Sequence, residues 1–548
     1  MYQTIDFLKQ AYTSLKSSIK WQTQLDEFDI IFLGVLITLI LHFILNRIRI
    51  PRRDYNQSYW TFIKSQVFLG LINYCPGVSS FLEKKKEEAL KSFSHSLDKY
   101  TTNKTFKIPE NGMGYDKINE RLKSWIDRDS KNYYSGKVSG SLYVHNDQQF
   151  IEDCQEFTKN FLYSNPMHAD LWPASRQLEA EVIKMTGELF GQDKEAIGML
   201  TTGGTESILL AILAYRNWAE TEKGITQPNI VIPETAHAAF YKAGEYFKIQ
   251  VRTAKVNQKT FTVDLKDLKS HINSNTICIV GSLPNFPYGT QDPIEELAAI
   301  AKKKKIGFHV DACLGGFIVA FAKEKGMNYG NYDFTLDGVT SISCDQHKHG
   351  LAPKGVSTIL FKTRQLRQYA FFSTATWSGG AYAVPTTQGS KTGVGAAGAW
   401  FTMLAIGRKR YIELSKSIIN ATIQLAKQIN EIPELEVCGE PKINCVCFKS
   451  KGNINVYSIH QILTSKGWNL NTTQNPNGIH ISVTQQNIQN LKVFVQDIKE
   501  AIKEIKTNPS KYKSGGDMGA LYGTTQKIPD SKFAGNALKL YLDSVLKL

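Results

Sequence analysis

The stretch S-I-S-C-D-Q-H-K-H-G-L-A-P-K-G, residues 341–355, is the segment from which the fold and the chemistry are best argued. A small-residue run typical of a strand, Val339 to Cys344, leads into a polar turn that carries His347, Lys348 and Lys354. A lysine just after a strand end suits Schiff-base chemistry, provided that burial or a neighbouring cation keeps its amine partly neutral. The alternative interpretation is a solvated basic turn, and the rest of the sequence has to decide between the two.

Outward from this stretch, in residues 170–365, short apolar runs alternate with stretches of helical periodicity. The predicted strands are Asn229 to Pro233, Thr276 to Ser282, Ile306 to Asp311, Val339 to Cys344 and Ser357 to Phe361. The predicted helices include 175–189, 208–218 and 293–304. Short buried strands that alternate with helices predict an α/β fold with a mostly parallel sheet. Functional groups should then gather at the carboxyl ends of the strands.

The remaining sequence predicts three further parts. Residues 366–400 form a loop-rich section, a long helix covers 395–430, and strands at 443–449 and 478–483 indicate a smaller α+β domain, with a last helix near 533–546. The predicted divisions are 1–53 for the N-terminus with its apolar stretch, 54–170 for a helical connector, 171–410 for the large domain and 411–548 for the small domain and tail.

Four chemically distinctive elements fall at the predicted strand ends of the α/β part. The turn Thr202 to Thr205 reads T-G-G-T at a helix start, where backbone N–H groups and the helix dipole favour an anion such as a phosphate. It matches neither the Walker A pattern nor the dinucleotide fingerprint. His237 could stack on a planar ring, and Asp311 ends an apolar strand, where a carboxylate is costly to bury without a partner. Lys348 is the fourth element.

Together and in this order, these elements are the parts needed to hold pyridoxal 5'-phosphate. Gly203, Gly204 and Thr205 are predicted to bind its phosphate. Asp311 would keep the pyridine nitrogen protonated, His237 would cover the ring face, and Lys348 would form the Schiff base. These three are the predicted catalytic residues, and no metal site is predicted.

The chain resembles the sphingosine-1-phosphate lyases, a group within the decarboxylase-like branch of fold-type I pyridoxal-phosphate enzymes. The resemblance covers about residues 110–530. It is carried by G-K-V-S-G-S-L-Y-V-H (136–145), S-N-P-M-H-A-D (164–170), T-G-G-T-E-S-I-L-L-A (202–211), H-A-A-F (237–240), G-S-L-P-N-F-P-Y-G (281–289), H-V-D-A-C-L-G-G-F (309–317), D-Q-H-K-H-G-L-A-P-K-G (345–355), G-W-N-L-N (467–471) and A-L-Y-G (520–523). The resemblance implies a fold-type I large domain and a pyridoxal-phosphate-dependent aldehyde-lyase of sphingolipid degradation.

The implied reaction is retro-aldol cleavage of the C2–C3 bond of sphingosine 1-phosphate or sphinganine 1-phosphate, which yields a long-chain aldehyde and phosphoethanolamine. By the same resemblance, Tyr143, Asn165, His168 and Lys354 would line the head-group site, where a lysine suits a phosphate as a point charge. His347 would contact the cofactor. The family also implies a homodimer with shared sites, in which Gly379 and Gly380 would close the partner's cofactor phosphate site.

The sequence departs from the family pattern at two places. His349 stands where a tyrosine usually follows the H-K pair, and Lys391 stands where G-S-R-P-G usually has its arginine. If that arginine contacts phosphate, Lys391 can supply the charge, but a bidentate contact is lost.

An apolar stretch near the N-terminus predicts one transmembrane helix, at about 30–46. No formal charge lies between Asp29 and Arg47, close to the lower limit of roughly 17 residues for a spanning helix. A buried core helix is the alternative, whereas a signal peptide is disfavoured because no small-residue cleavage site follows. Acidic residues precede the stretch and arginines follow it, so the catalytic part is expected in the cytosol. The family resemblance implies the endoplasmic reticulum membrane.

Composition agrees with a large reduced protein rather than a nucleic-acid binder. The net charge of +15 is spread along the 548 residues without interleaved aromatic side chains, so no nucleic-acid partner is expected. Short runs such as Lys302 to Lys305 are interpreted as solvated helix ends. Eight cysteines in so long a chain do not make a disulfide framework. Two alternatives remain open, a membrane-anchored amino-acid decarboxylase of the same branch and a scaffold that keeps the fold without the chemistry.

Overall fold

The computed structural model describes residues 107–512 together with Lys539, Leu542, Asp543 and Leu546. The predicted transmembrane stretch and most of the last predicted helix therefore lie outside the described residues. Among the helices of the described part, none combines the length and the apolar character that crossing a bilayer requires.

A seven-stranded sheet forms the centre of the structure. Its strands are β1 (Gly198–Thr201), β2 (Asn229–Pro233), β3 (Gln250–Ala254), β4 (Thr276–Ser282), β5 (Gly307–Asp311), β6 (Ser341–Cys344) and β7 (Ser357–Phe361), in the order β1-β7-β6-β5-β4-β2-β3. The pairs β2–β3, β2–β4, β4–β5 and β5–β6 are parallel, whereas β7 is antiparallel to both β6 and β1. The predicted mostly parallel α/β sheet is confirmed.

Helices cover the sheet because its strands are apolar on both faces. All residues of β2, β4 and β5 are buried, as expected for parallel strands between two helical layers. The helices are α1 (Tyr115–Tyr134), α2 (Gln148–Thr158), α3 (Pro173–Leu189), α4 (Gly204–Lys223), α5 (Ala239–Phe247), α6 (Leu265–His271), α7 (Ile294–Lys304), α8 (Gly316–Lys323), α9 (Arg364–Gln368) and α10 (Val394–Asn430). In α7 the lysines occupy the exposed last turn, where their positive charges interact favourably with the helix dipole. The sequence predicted such a solvated helix end for this run.

Two smaller sheets follow the large one along the chain. Strands β8 (Phe372–Thr374) and β9 (Tyr382–Val384) form a hairpin inside the section predicted to be loop-rich. A four-stranded antiparallel sheet, in the order β10-β11-β13-β12, contains β10 (Leu435–Val437), β11 (Cys445–Ser450), β12 (Asn471–Thr473) and β13 (Gly478–Ser482), and packs with α11 (Val456–Ser465) and α12 (Leu491–Thr507). The long helix α10 leads into this sheet and is interrupted at Gly407, whose φ of 67° is not helical.

Free thiols occur throughout the described part of the chain. The seven cysteines at positions 154, 278, 313, 344, 438, 445 and 447 are all buried and unpaired. This agrees with the reduced state predicted for them from the sequence.

Candidate active site

A cavity of about 460 Å³ lies at the carboxyl edge of the large sheet. Its floor is formed where β4, β5 and β6 end and where α4 begins. The predicted site residues that line it are Tyr143, Gly203, Gly204, Thr205, His237, Asp311, His347, Lys348 and Lys354. Because parallel strands end at the same edge, one sheet brings together residues that are up to about two hundred positions apart.

The glycines of the T-G-G-T turn are required by close approach at the start of α4. A Cβ atom on Gly204 would lie 2.8 Å from Cys313 Sγ and 2.9 Å from both carboxylate oxygens of Asp345. A Cβ atom on Gly203 would lie 3.2 Å from the His347 ring. The helix start presents backbone N–H groups without intrahelical partners to the cavity, which is the geometry of an anion site.

Lys348 projects into the cavity from the turn after β6 and forms an ion pair there. Its Nζ lies 2.8 Å from a carboxylate oxygen of Asp345, which is fully buried. Burial alone would lower the pKa of Lys348, but Asp345, Cys313 and Tyr143 outweigh it and raise the pKa above its ordinary value. The sequence analysis made a partly neutral amine the condition for Schiff-base chemistry at this lysine. In this structure the carboxylate three residues earlier acts against that condition.

His347 is held as a neutral imidazole beside the cradle, the T-G-G-T turn of residues 202–205. The backbone N–H of Val356 donates to its Nδ1 at 3.2 Å, so the proton of the neutral ring resides on Nε2. Burial, followed by the cations Lys354 and Lys348, lowers the pKa of His347 against the opposing effect of Asp345. The ring therefore offers an N–H donor next to Gly203.

Asp311 and His237 are fixed by short backbone contacts. The backbone N–H of Cys313 donates to Asp311 Oδ1 at 3.1 Å, and the Ser343 hydroxyl approaches the same oxygen at 3.4 Å. The Ala239 N–H donates to His237 Nδ1 at 3.1 Å, which orients the imidazole at the entry to α5. Both side chains face the same cavity as Lys348.

Tyr143 and Lys354 meet on another wall of the cavity. The Lys354 ammonium lies 4.8 Å from the centre of the Tyr143 ring and donates to the backbone carbonyl of His347 at 3.2 Å. Burial, with Lys348 adding to it, lowers the pKa of Lys354 to about 8. Burial also raises the pKa of Tyr143 to about 12, so the phenol stays neutral at physiological pH.

A buried polar network behind Tyr143 escaped the sequence analysis. The phenol oxygen lies 3.3 Å from Ser482 Oγ, and the Asn444 amide donates to the same hydroxyl at 3.3 Å. Asn444 also lies 2.8 Å from Nε2 of His349, whose ring meets the edge of Tyr143 at 4.9 Å between centroids. The histidine that departs from the family pattern thus belongs to the support of Tyr143.

Glu206 is a second residue that the sequence analysis missed. Its carboxylate accepts hydrogen bonds from the backbone N–H groups of Thr202, at 2.7 Å, and Thr387, at 3.1 Å, and also from both hydroxyls. These bonds outweigh the effect of burial and lower the pKa of Glu206. The carboxylate ties the cradle to the segment that follows the β8–β9 hairpin.

Within a single chain, three of the predicted site residues lie outside this cavity. Asn165 donates to Ser390 Oγ at 3.2 Å, and His168 is exposed on the same loop. Gly380 lies in the β8–β9 hairpin. Lys391, the residue in place of the family's arginine, pairs with Glu179 at 3.1 Å.

The cavity fits pyridoxal phosphate on its own geometry. The cradle that a Cβ would fill, the His347 donor and the start of α4 suit the phosphate, and Lys348 and Asp311 supply the amine and the carboxylate. The volume is within the range of roughly 300–1,000 Å³ for small-molecule sites.

Comparisons with known proteins agree with this chemistry. Residues 157–451 match the pyridoxal-dependent decarboxylase conserved domain. A sphingosine-1-phosphate lyase from Arabidopsis thaliana is 38% identical over 87% of this chain and 88% of its own. Sphingosine-1-phosphate lyase 1 from Mus musculus is 35% identical over 98% of this chain and 94% of its own.

Solved structures give the same result for the fold. A sphingosine-1-phosphate lyase from Burkholderia pseudomallei has a TM-score of 0.70 at 34% identity, covering 74% of this chain and 94% of that one. A glutamate decarboxylase from Lactobacillus brevis has a TM-score of 0.64 at 19% identity, covering 74% of this chain and 96% of that one. The second likeness concerns the fold alone.

Proposed function

Because the chain belongs to the sphingosine-1-phosphate lyase family, we propose that it cleaves the C2–C3 bond of phosphorylated long-chain bases. The products are a long-chain aldehyde and phosphoethanolamine. The chain is a pyridoxal-phosphate-dependent lyase of sphingolipid metabolism, and its substrates are sphingosine 1-phosphate and sphinganine 1-phosphate.

The position of Lys354 carries the substrate proposal. Its ammonium lies in the same cavity as Lys348, on the wall formed by Tyr143. A cation at this distance from the reactive amine suits a substrate with a phosphate near its amino carbon. Among the described residues that line the cavity there is no arginine to clamp a substrate carboxylate, as an amino-acid substrate would require.

The chain's own residues divide the work of the reaction. Pyridoxal phosphate, when bound, supplies the electron sink that carbon–carbon cleavage needs. Gly203, Gly204 and Thr205 would hold its phosphate, and Asp311 would hold the proton on the ring nitrogen. Lys348 would provide the amine that retains the cofactor.

The other cavity residues orient the substrate. Lys354 attracts the substrate phosphate, while the neutral hydroxyl of Tyr143, fixed by Ser482, can hold a substrate oxygen by a hydrogen bond. Phe286 and Leu314 line the cavity as apolar surface, which suits the start of an alkyl chain.

A product assay separates this function from amino-acid decarboxylation. The full-length chain loaded with cofactor is incubated with sphinganine 1-phosphate and, separately, with labelled glutamate and aromatic amino acids. The proposal expects hexadecanal from the first and no labelled carbon dioxide from the others. Carbon dioxide without aldehyde would establish the decarboxylase instead.

The active unit is proposed to be a homodimer with shared sites. Support comes from Asn165, His168 and Gly380, which lie outside the cavity of one chain although the family pattern assigns them to the site. Large apolar side chains are exposed near them, including Tyr163, Leu171, Trp172, Phe372 and Trp377. Mixed dimers of Lys348→Ala with Asn165→Ala test the proposal, because activity regained on mixing requires that each site draws on both chains.

Residues 30–46 are proposed to anchor the enzyme in the endoplasmic reticulum membrane with the catalytic part in the cytosol. The support is the uncharged apolar stretch and the arginines at positions 47, 49, 52 and 53 that follow it. Alkaline carbonate extraction of membranes that contain the full-length chain tests the anchor, and release of the intact protein would exclude it.

A further inference from the structure

Asp345 is a buried carboxylate at the active site to which the proposed reaction assigns no part. It lies in the turn directly after β6, with 1% of its surface exposed. One oxygen is 2.8 Å from Lys348 Nζ and 3.5 Å from His347 Nε2. The other oxygen accepts a hydrogen bond from the Ser357 hydroxyl at 2.5 Å. Both oxygens are thus held, one by the reactive lysine and the other by the neighbouring strand β7.

A chain of buried hydroxyls connects Asp345 to the phosphate cradle. Ser357 Oγ lies 2.9 Å from Ser207 Oγ, which lies 2.7 Å from Thr201 Oγ1. Thr201 in turn donates to the carbonyl of Gly203 at 3.2 Å. Since β1, β7 and the first turn of α4 are joined in this way, the carboxylate has a fixed position relative to the turn that holds the cofactor phosphate.

We propose that Asp345 restrains cofactor capture by holding Lys348 beside the cradle as an ammonium ion until pyridoxal phosphate arrives. Condensation of the amine with the cofactor's aldehyde forms a C=N bond and releases the aldehyde oxygen as water. The ammonium must first lose one proton, which leaves to solvent through the open side of the cavity. The ion pair therefore makes capture slow at low pH.

The charges around Lys348 support this assignment. Asp345, His347, His349 and Lys354 belong to the same turn. The groups that face Lys348 from other elements are Cys313 after β5, Cys344 at the end of β6, Tyr143 from the segment after α1, and Cys445 in β11. Asp311, at the end of β5, lines the same cavity. Burial lowers the pKa of Lys348, and Asp345 is the first of the groups that raise it.

Lys354, six residues further along the chain, shows the direction in which burial shifts the pKa of a lysine of this cavity. Burial, with Lys348 adding to it, lowers the pKa of Lys354 to about 8. An asparagine at position 345 would remove the first of the groups that raise the pKa of Lys348, while burial would still lower it. A buried lysine without a counter-ion gives up its proton readily, so the substitution should increase its neutral fraction.

The test measures the rate of cofactor capture and does not involve the lipid substrate, so its outcome is separate from that of the proposed function. Full-length apoenzyme is mixed with pyridoxal phosphate between pH 6 and 9, and the visible absorbance of lysine-bound cofactor is followed. Lys348→Ala gives the noncovalent signal to subtract. Wild-type capture should accelerate about tenfold per pH unit, as expected for a lysine well below its pKa. In Asp345→Asn, capture at pH 7 should be at least about tenfold faster, since one unit of pKa changes the neutral fraction tenfold.

A control variant and the wild-type pH profile decide between the possible outcomes. Asp337→Asn removes an exposed carboxylate that pairs with Lys302 at 2.7 Å, and should leave the profile unchanged. Capture by Asp345→Asn at or below the wild-type rate at pH 7, in a variant with wild-type circular dichroism, would overturn the proposal. If that variant does not fold, the wild-type profile decides, because a rate independent of pH between 6 and 9 overturns it as well.

Discussion

Replacing Gly204 with alanine should weaken cofactor binding, because the added methyl group has no room. Its Cβ would lie 2.8 Å from Cys313 Sγ and 2.9 Å from both oxygens of Asp345, which is pinned by Lys348 and Ser357. Because Cys313 and Asp345 are buried and hydrogen-bonded, the turn is expected to relieve the overlap by moving toward the cavity, away from its phosphate-binding position. Overpacking of this kind costs about 1–3 kcal/mol, which corresponds to a rise in the cofactor dissociation constant of roughly 5- to 150-fold.

Equilibrium titration of the full-length apoenzyme with pyridoxal phosphate, read by visible absorbance, measures this change directly. Gly452→Ala is the matched control, since a Cβ there meets nothing within 4 Å, and it should bind the cofactor as the wild type does. Adding Cys313→Ala to Gly204→Ala removes one of the overlapping atoms and should recover part of the affinity. A dissociation constant for Gly204→Ala within twofold of the wild-type value would refute the close-approach argument.

Three further predictions concern the substrate, Tyr143 and acid stability. Lys354→Met should raise the KM for sphinganine 1-phosphate roughly tenfold or more, as the loss of a charge-assisted contact implies. The wild-type KM should also rise above pH 8, where Lys354 loses its proton; a KM insensitive to both changes contradicts the head-group assignment. Ser482→Ala, which removes the partner of Tyr143, should lower kcat, and Ser482→Thr should restore it; equal kcat values in all three proteins would exclude a positioning role. Burial lowers the pKa of three histidines to about 3 or 4: His309, His349 and His480. The unfolded chain binds their protons near pH 6.5, and Asp292, with its pKa raised to about 6 by burial, offsets one of them. The free energy of unfolding should therefore fall by about 2–3 kcal/mol per pH unit between pH 6 and 4, and a denaturant titration that shows less than about 1 kcal/mol per unit contradicts this.

The central strands were predictable because each is a buried apolar run with clear boundary residues. Asn229–Pro233, Thr276–Ser282 and Ser357–Phe361 have the predicted bounds, since each is a short apolar run with a polar residue or a proline at or directly beyond each end. Strand β1 is only four residues long and begins with a glycine, and β3 is an edge strand with half-buried polar residues. Neither carries a periodic signal that a single sequence would reveal.

The candidate site was predictable where residues follow strand ends and unpredictable where they meet through tertiary contact. Lys348 and Asp311 follow adjacent parallel strands, so their proximity is a consequence of topology. Tyr143 and Ser482 are 339 positions apart, and nothing local in either segment indicates the contact.

The charge state of Lys348 shows a different limit. Asp345 was visible in the sequence three residues earlier, but only the turn after β6 shows that its carboxylate points at the amine. Spacing alone does not fix that direction, because a turn residue can face either solvent or the site. The sequence could therefore name the condition for a reactive amine at Lys348 but not the carboxylate that acts against it.

Release of both products from sphinganine 1-phosphate is the measurement that tests the central claim most directly. Full-length enzyme loaded with cofactor should release hexadecanal and phosphoethanolamine in equal amounts, and Lys348→Ala should release neither. Equal amounts that disappear in the variant would establish cleavage of the C2–C3 bond at this cavity. Product formation that persists in Lys348→Ala, or a loaded wild-type enzyme that forms no aldehyde, would contradict the account.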